Sequence, residues 1–306
     1  MSVRVCIITP VLNGEKYITE ALASVVSQGS GAARIVVVDG GSSDATVALV
    51  SRFKNVSLEI MPGSGIYEAM NRGLELADGD FVGFLNCDDL YTPRAIETVL
   101  QTLERNRGVA VVSGGAEVFS NSPGAGDVTL AAYASPGDTA LGLDNVMLGV
   151  PLLNARFYRL EMLKSLGGFD CRYSIAADRD LLIRMALGGV PELTVPDLLY
   201  RYRVHEGSLT MSGRPERNLQ MARENMALAR KYMVADRQHP GTGARAKRMY
   251  YDSVATALNA GMRGGRWAAA ASVFREGACS ESAGLFRMGG ALWRKLRRRM
   301  RGLAGN

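Results

Sequence analysis

The sequence predicts an α/β fold with a mostly parallel central sheet flanked by helices, plus a C-terminal helical extension. Three observations predict it. Over the first 115 residues, short β-branched runs alternate with helical segments, the pattern of right-handed strand–helix–strand crossovers. The apolar run Phe81-Val82-Gly83-Phe84-Leu85 reads as a strand buried on both faces, and it ends in Asn86-Cys87-Asp88-Asp89. A chain leaving such a strand arrives at the carboxyl edge of a sheet, where open α/β sheets bind ligands. After Arg214 strand signals stop and helical spacing continues to the end.

In order, Arg4 to Thr9 is the first strand and Glu15 to Ser27 the first helix. Arg34 to Val38 is β-branched and ends in the turn Asp39-Gly40-Gly41-Ser42-Ser43-Asp44, followed by a helix from Ala45 to Phe53. Val56 to Ile60 is the third strand, Ile66 to Ala77 the third helix and Phe81 to Leu85 the fourth strand. A helix from Pro93 to Arg105 and a strand from Val109 to Ser113 follow. From Ala116 to Leu153, frequent Gly, Ser, Pro and Asp predict loops and short strands. Arg156 to Gly189 reads as two helices around Gly167-Gly168-Phe169-Asp170, and Asp197 to Arg203 as a last strand. Helices are expected over Pro215–Ala235, Ala244–Arg263, Trp267–Glu276 and Leu285–Leu303. The expected organisation is a domain over 1–210, with halves 1–115 and 116–210, and a helical extension over 211–306.

Composition narrows the classes. With 306 residues and 47% hydrophobic content, the chain can bury one large α/β core plus an extra segment, or two small domains. No uncharged apolar run approaches the ~18 residues needed to span a bilayer, and the N-terminal run is too short and charged for a signal peptide. The four cysteines form no CxxC pair, which suits a reducing cytosol and argues against structural zinc. Seven of the basic residues lie between Gly284 and Asn306; without them a net charge of +6 becomes −1 over the first 283 residues. The basic character therefore belongs to a tail.

Three strand endings collect at one predicted edge: Thr9-Pro10-Val11-Leu12-Asn13, Asp39 to Asp44, and Asn86 to Asp89. Asp39 can accept hydrogen bonds from a base or ribose, and its glycines permit close backbone approach. Asp88 and Asp89 are hard oxygen ligands suited to Mg²⁺ or Mn²⁺. The plain alternative is that these carboxylates cap turns and helices. GxGxxG and GxxxxGK[ST] are both absent, against a dinucleotide enzyme or a P-loop NTPase.

TPVLN, VVDGGSSDAT, GIYEAMNRG, FLNCDD, AADRDLLIRMALGG and YRVHEGSLT, in this order, resemble the family 2 glycosyltransferases of GT-A fold over about residues 3–210. GIYEAMNRG is similar to the colanic acid and O-antigen branch of polysaccharide enzymes. The resemblance implies an inverting transfer from a nucleoside diphosphate sugar, with uracil the usual base, to a glycan or lipid-linked saccharide. It places Pro10, Val11 and Asp39 at the nucleobase, Asn86 at the ribose or sugar, and Asn13, Gly65, Asn71 and Cys87 among the nucleotide-sugar contacts. Met70 stands where the family has an Arg before Asn71, so Arg72 is the candidate diphosphate cation. Asp88 and His205 would hold Mn²⁺ or Mg²⁺, and Asp178 would be the general base, with Asp180 the competitor. Helix N-terminal acids favoured by the dipole are the plain reading of both.

In the tail, Leu285, Met288, Leu292, Leu296, Met300 and Leu303 form an apolar stripe with Trp293 at its margin among arginines. That is the composition of an interfacial membrane helix; a helix packed on the protein with a solvated basic face is the other reading. A cytoplasmic location is expected, with a peripheral hold on the inner face of the cell membrane. No nucleic-acid partner is expected, since the rest carries no basic excess. A sugar nucleotidyltransferase and a non-catalytic sugar-nucleotide-binding protein are the competing functions. The first lacks its Gly-rich phosphate loop in TPVLNGEKY, and Asp88 and Asp178 together speak against the second.

Overall fold

The computed structural model describes residues 3–29, 33–122, 126–208, 214–235 and 239–265, together with 268, 271–273 and 275. Contacts divide the chain into two compact units, Met1–His205 and Glu206–Asn306.

The first unit is built on one mixed sheet. β1 (Val5–Val11), β2 (Ala33–Asp39), β3 (Val56–Ile60) and β4 (Phe81–Phe84) lie in the order β3-β2-β1-β4, all parallel. Their connections are α1 (Ile18–Val26), α2 (Thr46–Val50) and α3 (Ile66–Leu76). Every residue of β1 is buried; each Val or Ile removed from water contributes ~1.5–3 kcal/mol, so this strand anchors the core. The sheet winds outward from β1 in both directions, and in open α/β sheets such a switch point is where ligands bind, outside the carboxyl ends of the strands. Register aligns Val11 with Asp39 and Ile8 with Phe84, so the tails of β1, β2 and β4 emerge together. α3 sits close on the sheet because Gly73 has no side chain; a Cβ there would lie 2.3 Å from Ile8 Cγ2.

Beyond β4 the parallel order ends. β5 (Leu90–Tyr91) and α4 (Ala95–Arg105) precede β6 (Val111–Ser122), but β6 does not lie beside β4. β8 (Arg156–Arg159) comes between them, antiparallel to both. The segment expected to begin with a helix at Arg156 thus begins with a strand. Phe157 and Tyr158 are both buried, which leaves no period-2 alternation to read. The stretch expected to hold loops and short strands contains the 12-residue β6, paired with β7 (Gly126–Tyr133). Ser120, Asn121 and Ser122 lie within the strand, paired with Val128, Asp127 and Gly126 of β7. β9 (Glu192–Arg203) starts five residues earlier than Asp197 and runs parallel to β6. Pro196 is tolerated there because the ladder is irregular between Thr194 and Leu198.

Three helices complete the part of this unit after β7: α6 (Leu143–Leu148) after the single turn α5 (Pro136–Thr139), α7 (Leu160–Ser165), and α8 (Ala177–Leu187). In the second unit α9 (Pro215–Met233) and α10 (Thr242–Arg263) pack against each other, close to the expected spans. Of the expected helix Trp267–Glu276 only scattered residues are described, and the basic stripe from Leu285 to Leu303 lies outside the described residues. Among the described residues no helix is long and apolar enough to cross a membrane.

Candidate active site

The carboxyl edge of β1, β2 and β4 gathers most of the expected residues. Asp39 ends β2 fully buried. Its Oδ1 accepts the Gly41 and Ser42 backbone N–H groups at 2.8 and 2.7 Å, closing a tight turn. Its Oδ2 is buried and has no partner among the described residues. A buried carboxylate oxygen without a donor costs more than one in water unless a ligand completes it. Pro10 and Val11 are the last residues of β1 alongside it.

Asn13 plays a different part. It sits at φ 52°, a left-handed backbone that Asn tolerates. Its Oδ1 accepts Ser43 N–H at 2.9 Å, and its own N–H donates to Ser42 Oγ at 2.8 Å. Glu15 N–H to Asp44 Oδ2 (3.1 Å) and Ala45 N–H to Glu15 Oε2 (3.0 Å) extend this clasp. The two loops that frame Asp39 are thereby tied to each other.

The acidic cluster after β4 divides its labour. Asp89 is buried and accepts three hydrogen bonds: Arg203 N–H at 2.7 Å, Tyr200 Oη–H at 2.9 Å and Asn86 Nδ2–H at 2.9 Å. Burial, and then the adjacent Asp88 charge, push its carboxyl well above the usual range. Asp88 is partly exposed, and its Oδ2 lies 2.8 Å from His205 Nε2. Neither carboxylate caps α4, whose start has no side-chain cap from its own chain neighbours; Oε1 of Gln28, in the turn after α1, accepts the Ile96 N–H instead. Asn86 keeps Oδ1 buried and without a partner among the described residues. The Cys87 thiol is pushed up by burial and packs in the loop, where a Cβ on Gly14 would touch its sulfur.

Sequence reasoning missed Arg203. It is 4% exposed, and its guanidinium donates to the Asp88 carbonyl at 2.8 Å, to Glu20 Oε2 at 2.7 Å and to Asn121 Oδ1. It lies over the Tyr17 ring at 4.9 Å and the Phe119 ring at 4.7 Å. The Tyr17 ring also packs on His205, with centroids 4.9 Å apart. One arginine therefore joins α1, the loop after β4, and β6 around the Asp88–His205 pair. The available signal was its position two residues before His205; the partners come from three distant segments.

Asn71 and Arg72 are held elsewhere. Asn71 Nδ2 donates to the Phe169 carbonyl at 2.9 Å, and its Oδ1 accepts the Phe169 N–H at 2.8 Å. Gly168, at φ +63°, allows this; a Cβ there would stand 2.4 Å from Asn71 Oδ1. Gly65 starts α3, its N–H donating to Glu68 Oε2 at 2.7 Å. Arg72 is engaged by Glu59 at 2.9 Å and Glu75 at 2.8 Å, so the structure does not bring it into the cluster at the β4 end.

Asp178 lies in the first turn of α8. Tyr67 Oη–H donates to the Ile175 carbonyl at 2.8 Å, and the Phe169 ring packs on Tyr67 and Phe84, at 5.3 and 5.2 Å. These contacts fasten the segment before α8 onto α3 and β4. Burial pushes the Asp178 carboxyl up to about 6, while the Arg179 charge, the Arg179 N–H at 2.6 Å and Tyr67 pull it down. Arg179 donates to the carbonyls of Val146, Met147 and Gly149 at the end of α6. Asp180, the competing carboxylate, is fully buried and paired with Arg184 at 2.8 Å. Arg184 in turn donates to the Leu166 and Gly168 carbonyls, so Asp180 serves the packing of α8.

Residues 6–152 match the family model described as "Glycosyl transferase family 2". The chain carries a family 2 glycosyltransferase domain. The transferase is 29% identical over 185 residues to a protein of Mycobacterium tuberculosis named PGL/p-HBAD biosynthesis glycosyltransferase, covering 58% of this chain and 68% of that one. A Rickettsia typhi glycosyltransferase is 33% identical over 113 residues, 36% of each chain. Among solved structures, S. aureus TarS residues 1–349 superpose with a TM-score of 0.59 at 18% identity, over 94% of this chain and 80% of that one. The mannosyltransferase PcManGT of Pyrobaculum calidifontis, solved with GDP-Man and Mn²⁺, gives 0.58 at 20% identity, over 95% and 81%. The transferase therefore has the GT-A fold.

Proposed function

We propose that this glycosyltransferase moves a sugar, with inversion, from a uridine diphosphate sugar to a hydroxyl of a glycan or lipid-linked saccharide. The observation that carries the donor assignment is the unequal use of the Asp39 carboxylate. Oδ1 is already taken by two N–H groups, and Oδ2 has no partner among the described residues. Uracil offers one imide N–H, flanked by carbonyls. Guanine offers two parallel N–H donors, which need both carboxylate oxygens. One spare oxygen therefore favours uracil. Pro10 and Val11 border the base, and the unpartnered Asn86 Oδ1 accepts a hydroxyl of the ribose or sugar.

Asp88 and His205 fit a divalent metal as a hard carboxylate beside an imidazole, 2.8 Å apart, a pair suited to Mn²⁺ or Mg²⁺. No group of three or more protein ligands exists among the described residues, so diphosphate oxygens and water would fill the remaining positions. When bound, the metal supplies charge for the leaving diphosphate. Asp178 acts as general base. The acceptor oxygen bonds to the anomeric carbon on the face opposite the diphosphate, its proton passes to Asp178, and the bond to the diphosphate breaks. A carboxyl poised near 6 is ionised at neutral pH yet basic enough to receive that proton.

The test is calorimetry with UDP, dTDP and GDP, with and without Mn²⁺, followed by hydrolysis of the corresponding donor sugars. UDP should bind most tightly and only with metal. A preference for GDP would overturn the base assignment.

A further inference from the structure

A second unsatisfied polar atom lies beside Asp39, and no motif called attention to it. The loops after β2 and β3 run side by side past the strand ends: Met61 N–H donates to the Asp39 carbonyl at 2.7 Å and Gly63 N–H to the Gly40 carbonyl at 2.9 Å. Ser64 follows, so close that a Cβ on Gly40 would lie 3.3 Å from the Ser64 carbonyl oxygen. The Ser64 hydroxyl is buried and, like Asp39 Oδ2, has no hydrogen-bond partner among the described residues. Two such atoms on adjacent loops are not what packing alone selects, since buried polar groups are satisfied in the large majority of cases. They are also chemically complementary: a carboxylate oxygen can only accept, while a hydroxyl can donate.

We propose that Ser64 is a nucleobase-contacting residue that works with Asp39. Asp39 Oδ2 takes the imide N–H of uracil and the Ser64 hydroxyl donates to a carbonyl flanking that N–H. The pair then reads an adjacent donor and acceptor. Cytosine cannot present this, because its ring nitrogen at that position is itself an acceptor. This inference rests on the uridine-nucleotide reading of the site and assigns it a residue outside the family motifs quoted above.

The consequence is an unusual pairing of stability and affinity. Ser64→Ala removes a hydroxyl that satisfies nothing in the free protein, so the unliganded variant should melt at the same temperature as the wild type or higher. Its affinity for UDP should fall about fivefold to tenfold, the scale of one neutral hydrogen bond. The wild type should also discriminate against UDP carrying sulfur in place of one base carbonyl oxygen, because sulfur is a weak acceptor, and Ser64→Ala should lose that discrimination. The experiment is calorimetry and thermal melting of the full chain with Mn²⁺, using UDP, 2-thio-UDP and 4-thio-UDP. If the wild type fails to bind UDP, the donor reading itself fails. If it binds UDP and Ser64→Ala binds equally well, or discriminates equally against both thio analogues, the assignment of Ser64 is overturned. A lowered melting temperature of the free variant also overturns it, since the hydroxyl would then have a structural partner.

Discussion

Replacing Asp178 with Asn should inactivate the transferase while making it more stable at neutral pH. Loss of a general base costs ~10²–10⁴ in rate, equivalent to ~3–5 kcal/mol of transition-state stabilisation. The stability gain follows from linkage. The carboxyl rises from the ordinary Asp range near 3.9 to about 6 on folding, because burial disfavours the charge. At pH values between those limits the unfolded chain has lost the proton and the folded chain keeps it, so stability falls as pH rises and levels off above about 6. Two pH units correspond to ~3 kcal/mol at most. Partial exposure of Asp178 and the α8 dipole, which favours a negative charge in the first turn by ~0.3–1 kcal/mol, reduce this to ~1 kcal/mol. The Arg179 N–H contact to Oδ1 survives in Asn. The assay is a melting series from pH 4 to 8 beside transfer kinetics. Asp178→Asn should melt ~2–4 °C above the wild type at pH 7.5 and level with it near pH 4, and wild-type kcat/KM should fall below about pH 6. A pH-independent melting difference would refute the electrostatic argument. An active Asp178→Asn beside a well-folded but inactive Asp180→Asn would refute the base assignment.

Asp88→Ala should abolish metal-dependent UDP binding, because the proposed metal rests on the Asp88–His205 pair; unchanged Mn²⁺-dependent affinity by calorimetry would exclude it. Arg203→Met should lower stability by ~1–3 kcal/mol in denaturant unfolding, since the buried guanidinium's hydrogen bonds to the Asp88 carbonyl, Asn121 and half-exposed Glu20 are lost, and should weaken Mn²⁺ binding at Asp88–His205. Wild-type metal affinity in a destabilised variant would limit Arg203 to a structural part. Deleting residues 284–306 should leave UDP binding intact but end sedimentation with anionic liposomes at low salt. Seven basic residues at ~1 kcal/mol each suffice for such a hold, and equal partitioning of both forms would dismiss the membrane reading.

Local chemistry determined much of this protein from sequence alone. The alternation of β-branched runs with helical segments specifies the β3-β2-β1-β4 half, because each crossover is short and right-handed. The endings at Asp39 and at Asn86–Asp89 announce a ligand edge, because such residues suit the carboxyl ends of parallel strands better than a core. Tertiary structure alone decided what lies beyond β4. β8 enters antiparallel between β4 and β6, and nothing in Arg156–Arg159 encodes its neighbours. It also decided which of several similar residues remains available. Asp88 and Asp89 are adjacent and identical in type, yet Asp89 is used up by Tyr200, Arg203 and Asn86 while Asp88 stands beside His205. Asp178 and Asp180 share one helical turn, yet only Asp180 is paired with Arg184. Asn71 and Arg72 lie in a recognisable motif, but their side chains are committed to Phe169, Glu59 and Glu75. The physical reason is common to all three. A side chain's type is local, but whether its hydrogen-bonding capacity is already spent depends on partners that folding brings from up to 183 positions away, as with Arg203 and Glu20.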